Sequence, residues 1–165
     1  MKIGVISDTH LRKVTDAFRH LLERYFSDAD VILHAGDFVS PEIVSFLSEW
    51  EFHGVHGNMD PPEIKQSLPS KKVLELEGVK IGLIHGWGAP EDLEERIWGE
   101  FGAVDVIVYG HSHRSANHLR GGTLFFNPGT AMGYALTGIH SVGILTVEDG
   151  IRGEIIDIET SGLSR

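Results

Sequence analysis

Five polar blocks constrain this chain more than any other feature: Asp8-Thr9-His10, Gly36-Asp37, Gly57-Asn58, His85-Gly86 and Gly110-His111-Ser112-His113. Each follows a short apolar run that reads as a buried strand, and a glycine adjoins four of the five. In open α/β sheets, ligands gather outside the carboxyl ends of the strands, so donors far apart in sequence can meet there. The adjoining glycines let the backbone turn sharply and approach an ion closely. The fold must therefore bring these loops to one sheet edge.

The runs between the blocks give the order of elements. Lys2–Ile6 reads as a strand, and Thr15 caps a helix to about Phe26 with Ala17, Phe18, Leu21, Leu22 and Tyr25 on one face. Asp30–Leu33 is a second strand. Ser40-Pro41-Glu42 supplies an N-cap, a proline at the first helical position and an acid in the first turn, opening a helix to about Trp50. Phe52–Val55 is a third strand. This alternation predicts right-handed crossovers and a partly parallel sheet. Lys72–Leu76 and Val79–Ile84 then form a hairpin about Glu77-Gly78, Glu91–Phe101 a helix, and Asp105–Tyr109 another strand. Thr123–Phe126, Ser141–Val147 and Ile151–Ile158 make the last third β-rich, with a turn at Asp149-Gly150. One domain over residues 1–165 is expected, with 161–165 a loose tail.

Composition narrows the function. The formal charge of −10 and the lack of any Lys/Arg cluster larger than a pair, such as Lys71-Lys72, argue against a nucleic-acid surface. No apolar run approaches the ~20 residues of a membrane helix, and the N-terminus does not read as a secretory signal. Without cysteine there is no disulfide framework and no thiolate ligand, which suits a cytoplasmic location. Four of the ten histidines fall inside the blocks. The donor set of two Asp, one Asn carbonyl and four His is too rich in nitrogen for calcium or an all-oxygen magnesium site. It suits manganese, iron, zinc, nickel or cobalt, and seven donors exceed one tetrahedral zinc but serve two ions.

Each block also has an ordinary reading. Asp8 and Asp37 could be turn or helix caps, Asn58 a Gly-Asn turn residue, and His85 a satisfied core histidine. The pair His111 and His113 has no structural purpose at a strand end, and the series outweighs its members.

Asp-x-His, Gly-Asp, Gly-Asn, His and Gly-His-x-His in this order resemble the calcineurin-like metallophosphoesterase superfamily, over nearly the whole chain. His34-Ala35-Gly36-Asp37, Asn127-Pro128-Gly129 and the length resemble its small single-domain phosphodiesterase branch of bacteria and archaea. The resemblance implies a four-layer α-β-β-α sandwich of two mixed sheets flanked by helices. It implies that Asp8, His10 and His113 hold one divalent metal, that Asn58, His85 and His111 hold a second, and that Asp37 bridges them. Manganese is the foremost candidate. A metal-bridging hydroxide would attack phosphorus in line with the leaving group, with no catalytic nucleophile among the side chains. Many relatives carry a general-acid histidine where this chain has Met59, so diesters and activated esters are the expected substrates. Asp60, His140 or a metal-bound water remain as alternative proton donors. His34 is expected behind the ligands, and Asn127 beside the site, either among the ligands or behind them.

The expected partner is a small-molecule phosphate ester. The competing expectation is a protein-binding scaffold, since a eukaryotic retromer subunit resembles this branch with part of the ligand set lost. Phe38, Trp87 and Trp98 are the aromatics to examine for a partner surface, although Trp98 is expected in the core and Trp87 can instead wall the substrate cleft. Self-association is common in the branch, and the sequence leaves it open.

Overall fold

The structure is a computed structural model that describes residues 1–135 and 137–159. The expected loose tail at 161–165 lies outside the described residues. The elements run β1 (Lys2–Ile6), α1 (Asp16–Phe26), β2 (Val31–His34), α2 (Pro41–Leu47), β3 (Phe52–Gly54), α3 (Pro62–Ser67), β4 (Lys71–Leu76) and β5 (Val79–Ile84). They continue with α4 (Leu93–Trp98), β6 (Val106–Val108), β7 (Ala116–Arg120), β8 (Thr123–Asn127), β9 (Ser141–Val147) and β10 (Ile151–Asp157).

Two five-stranded sheets form, in the orders β10-β9-β1-β2-β3 and β4-β5-β6-β8-β7. The three strands β1, β2 and β3 are parallel, as are β5, β6 and β8, and antiparallel strands complete each sheet. Alternation along each central strand splits its side chains between two cores. Ile3, Val5, Val31 and Leu33 of the first sheet face Ile81, Leu83, Val106, Val108 and Phe126 of the second. The opposite faces carry Ile32 against Phe18, Leu22 and Ile43 of α1 and α2, and Ile107 and Phe125 against Leu93 and Ile97 of α4. The result is the expected α-β-β-α sandwich of two mixed sheets, and truncating a central residue such as Leu33 to Ala would cost roughly 2–5 kcal/mol. Among the described residues, no helix is long and apolar enough to cross a membrane.

The caps work as their sequences imply: Thr15 accepts from the Phe18 N–H at 3.2 Å, and Ser40 from the Glu42 N–H at 3.2 Å. Two helices are shorter than the pattern predicts. The helix α2 ends at Leu47, and the chain tightens into bonds from Glu49 N–H to Phe46 O and from Trp50 N–H to Leu47 O. The helix α4 begins after Asp92, whose φ of 58° is left-handed, and stops at Gly99. Phe38 proves fully buried, stacked on the His34 ring at 3.7 Å between centroids, and offers nothing to a partner. Trp98 is 39% exposed instead of core, with one face stacked on Phe125 at 5.3 Å and Arg120 over its ring.

Candidate metal centre

Every parallel strand delivers its candidate residues from its carboxyl end. The segment after β1 carries Asp8 and His10, that after β2 Asp37, and that after β3 Asn58. His85 follows β5, His111 and His113 follow β6, and Asn127 closes β8. The structure brings the seven candidate donors together. Asp8 Oδ1 lies 3.2 Å from His113 Nε2, 3.6 Å from His10 Nε2 and 3.9 Å from His85 Nε2. Asp37 Oδ2 lies 3.5 Å from His10 Nε2 and 3.3 Å from His85 Nε2. Asn58 Oδ1 extends the cluster, 3.1 Å from His85 Nε2 and 3.2 Å from His111 Nδ1. Two sets of three have ligand atoms mutually within 4.8 Å: Asp8, His10 and His113, and Asp8, Asp37 and His85.

The outer ring nitrogens fix how these imidazoles present themselves. His85 Nδ1–H donates to the Ala35 carbonyl at 2.7 Å, His111 Nε2–H to the Gly88 carbonyl at 2.7 Å, and His113 Nδ1–H to the Tyr134 carbonyl. A carbonyl only accepts, so in each neutral ring the inward nitrogen keeps its lone pair. Asp8 Oδ1 and His10 Nε2 are buried and have no hydrogen-bond partner among the described residues. Buried polar atoms are rarely left so. Lone pairs converging without hydrogen-bond alignment suit a divalent cation.

Charge supports the same conclusion. Burial by itself would raise the Asp8 carboxyl, but His10 and His113 beside it, with the field of His85, hold it well below the usual carboxylate range. Asp37 is lowered too, against its burial, by His85 and the Met59 N–H. The same carboxylates raise His85 and His113 above an ordinary histidine: in His85 they overcome its burial, and in His113 the Asp8 contact leads. A field that favours protons on these rings also favours a cation between them.

Five of the nine non-glycine residues with positive φ among the described residues belong to the cluster: Asp8, His10, Asp37, His111 and His113, with φ between 47° and 69°. Such conformations cost non-glycine residues energy and persist where the surroundings over-determine them. Beside them stand glycines that admit no side chain: a Cβ on Gly57 would fall on Asp37 Oδ1, and one on Gly110 on Ser7 Oγ and Asp8 Oδ2.

The supports explain how the loops hold. His34 is fully buried; its Nδ1 accepts from the Gly36 N–H at 3.0 Å, so Nε2 carries the proton and donates to Thr9 Oγ1 at 3.1 Å. It braces two loops without touching a candidate ligand side chain, and burial pushes its pKa down to about 3. Asn127 donates to the Gly110 carbonyl and to Ser112 Oγ, both at 3.1 Å, beneath the segment carrying His111 and His113. Asp60 is engaged by backbone: its buried side chain accepts from the N–H groups of Asp37, Val39 and Gly57 at 3.0, 2.7 and 2.8 Å. His140 Nε2 bonds to the Gly133 carbonyl at 2.8 Å. Met59 is 59% exposed. Sequence reasoning missed Ser7, whose Oγ donates to Asp8 Oδ2 at 2.6 Å, and Thr130, whose Oγ1 donates to the Asp8 carbonyl at 2.9 Å. Only adjacency to Asp8 could have indicated Ser7, and nothing in the sequence indicated Thr130.

Residues 1–150 match the calcineurin-like phosphoesterase superfamily domain. The chain belongs to that family, and with this donor set it is a metal-dependent phosphoesterase. A probable metallophosphoesterase of Methanocaldococcus jannaschii, MJ0623, is 35% identical over 163 residues, covering 96% of this chain and 82% of its own length. The phosphodiesterase MJ0936 of the same organism is 30% identical, covering 94% of this chain and 99% of its own. Among solved structures, an archaeal phosphodiesterase superposes with a TM-score of 0.75 at 27% identity, over 96% of this chain and all of that one. Vps29 of Entamoeba histolytica complexed with zinc superposes with a TM-score of 0.71 at 25% identity, over 95% of this chain and 99% of its own.

Proposed function

We propose that this chain, taken as one domain, is a dinuclear phosphoesterase that hydrolyses small-molecule phosphodiesters in preference to monoesters. The observation that carries the reading is the set of three imidazoles whose outer N–H groups are spent on backbone carbonyls, His85 and His113 facing a buried Asp8 oxygen that has no hydrogen-bond partner among the described residues and His111 facing Asn58 Oδ1. In this reading Asp8, His10 and His113 hold one divalent ion, Asn58, His85 and His111 the other, and Asp37 serves both, with manganese the first choice and nickel, iron, cobalt or zinc as alternatives. Such a pair of ions, when bound, supplies water of near-neutral pKa for in-line attack and positive charge for the phosphoryl oxygens. The protein's own part is to hold Asp37 Oδ2 inward by occupying Oδ1 with the Met59 N–H at 2.9 Å. Met59 cannot transfer a proton and Asp60 is engaged by backbone, so the chain offers poor help to an alkoxide leaving group. General-acid assistance is worth about 10²–10⁴-fold, and aryl or otherwise activated esters do without it. The relation to a phosphodiesterase supports the diester preference.

The test is to strip the protein with chelator and assay a chromogenic aryl phosphodiester and monoester as each divalent metal is returned. Turnover restored by metal and faster on the diester is the expected result, abolished in Asp37→Ala and His111→Ala without loss of fold. The alternative, a scaffold with little turnover, draws on the Vps29 likeness. Two bound ions per chain with no turnover on any ester would favour it.

A further inference from the structure

We infer that the cleft between Trp87 and Lys65 is a subsite for an aromatic ester arm of the substrate. The inference rests on the phosphoesterase reading and adds the chemistry of the group next to phosphorus. The cleft measures about 400 Å³, within the range of small-molecule sites, and Asn58 and His85 belong both to its wall and to the candidate metal centre. Anything held at that centre therefore has this cleft beside it.

Trp87 is 44% exposed and borders the cleft, so its indole offers a face for a planar ring. Its segment is braced from behind. Arg96 donates to the carbonyls of Trp87 at 2.9 Å, Glu91 at 3.0 Å and Ala89. Gly86 and Gly88 on either side of Trp87 have φ of 99° and 82°, and the Gly88 carbonyl is the acceptor that orients His111. A wall built this way is ordered before a ligand arrives, which removes part of the ordering cost of binding.

Charge at the mouth suits a phosphate ester. Lys71 is paired with Glu100 at 2.8 Å, so those two cancel. Lys65 donates to the Asn58 carbonyl at 3.4 Å and enters no ion pair among the described residues. In a chain with a formal charge of −10, this leaves a local positive charge next to the site. A ring stacked on Trp87 would carry its anionic phosphoryl group between Lys65 and the metal centre.

Phenylphosphonate and methylphosphonate share a head group, cannot be hydrolysed and differ only in the arm. Each would be measured as a competitor of a chromogenic diester and by calorimetric titration onto the manganese-loaded protein. Phenylphosphonate should bind wild type about tenfold more tightly, in line with single stacking contacts. Trp87→Ala should shrink that preference to within about twofold, with methylphosphonate affinity and manganese content at wild-type levels, and Trp87→Phe should restore most of it. A preference absent from wild type, or unchanged in Trp87→Ala, overturns the subsite. Lost manganese with equal weakening of both phosphonates overturns it too, and assigns Trp87 to holding His111. Binding of neither phosphonate together with no ester turnover sinks the phosphoesterase reading itself. A working diesterase whose phosphonate affinities show no preference for the phenyl arm sinks only the inference.

Discussion

The Nδ1–H of His85 is fixed on the carbonyl oxygen of Ala35 at 2.7 Å, and this holds His85 Nε2 3.3 Å from Asp37 Oδ2. Two strand ends, those of β2 and β5, are thereby locked around one imidazole. His85→Ala should weaken metal binding and turnover by more than about 100-fold, because it removes a donor as well as the brace. Metal titration and far-UV circular dichroism together check this; unchanged affinity in a folded variant would remove His85 from the centre.

Metal affinity should rise with pH. In the metal-free protein the carboxylates raise His85 and His113 above the ordinary histidine value, so protons occupy the rings that a cation needs. Below neutral pH the cation must displace those protons; above their raised pKa it need not. Calorimetry of manganese binding in buffers of different ionisation enthalpy should show proton release that fades as pH rises. Affinity independent of pH would contradict the arrangement.

His34 predicts a slope of the opposite sign to that of the paired histidines. Its pKa falls from 6.5 to about 3 on burial, so between those values the unfolded chain binds the extra proton. The contribution is therefore complete above pH 6.5 and is lost progressively as pH falls toward 3. Its full size is several kcal/mol, since each tenfold change in proton affinity is worth about 1.4 kcal/mol. Chemical denaturation of metal-free protein at pH 7.5, 6 and 5 should show the loss in wild type and a flatter profile in His34→Gln. Parallel profiles would exclude His34 as the source.

Asp60→Ala would leave the N–H groups of Asp37, Val39 and Gly57 unpaired in a buried place. At about 1–3 kcal/mol per orphaned group, a loss of roughly 3 kcal/mol or more is expected, with weaker metal binding as the two loops part. Asp60→Asn keeps the shape but sets an NH2 donor against at least one of these N–H groups. Its activity should fall without a change in the form of the pH–rate profile, whereas disappearance of a limb would restore Asp60 as an acid.

The strands carrying the site were legible because burial on both faces makes them short, continuous apolar runs; Val31–His34 and Val106–Val108 are examples. The strand β7 was not legible. Ala116–Arg120 sits at a sheet edge with its one large apolar residue, Leu119, 73% exposed, so neither alternation nor an apolar run marks it. The helix α3 buries only Ile64 and has no side-chain cap, which leaves no periodicity to detect. Phe38 looked like a surface residue because it lies in a polar segment, and only the fold places it on His34. The seven candidate donors could be named from the order of the blocks. Their shared brace could not, because Ala35, Gly88 and Tyr134 contribute through backbone carbonyls that any residue carries.

The five left-handed residues of the centre set a standing tension between chemistry and durability. At each of them a glycine would relax the backbone and remove a candidate donor, so on the proposed reading the substitution that relieves the fold is the one that disables the site. A lineage that stopped needing turnover would meet relief, not penalty, at positions 8, 10, 37, 111 and 113, and its sequence should drift there first.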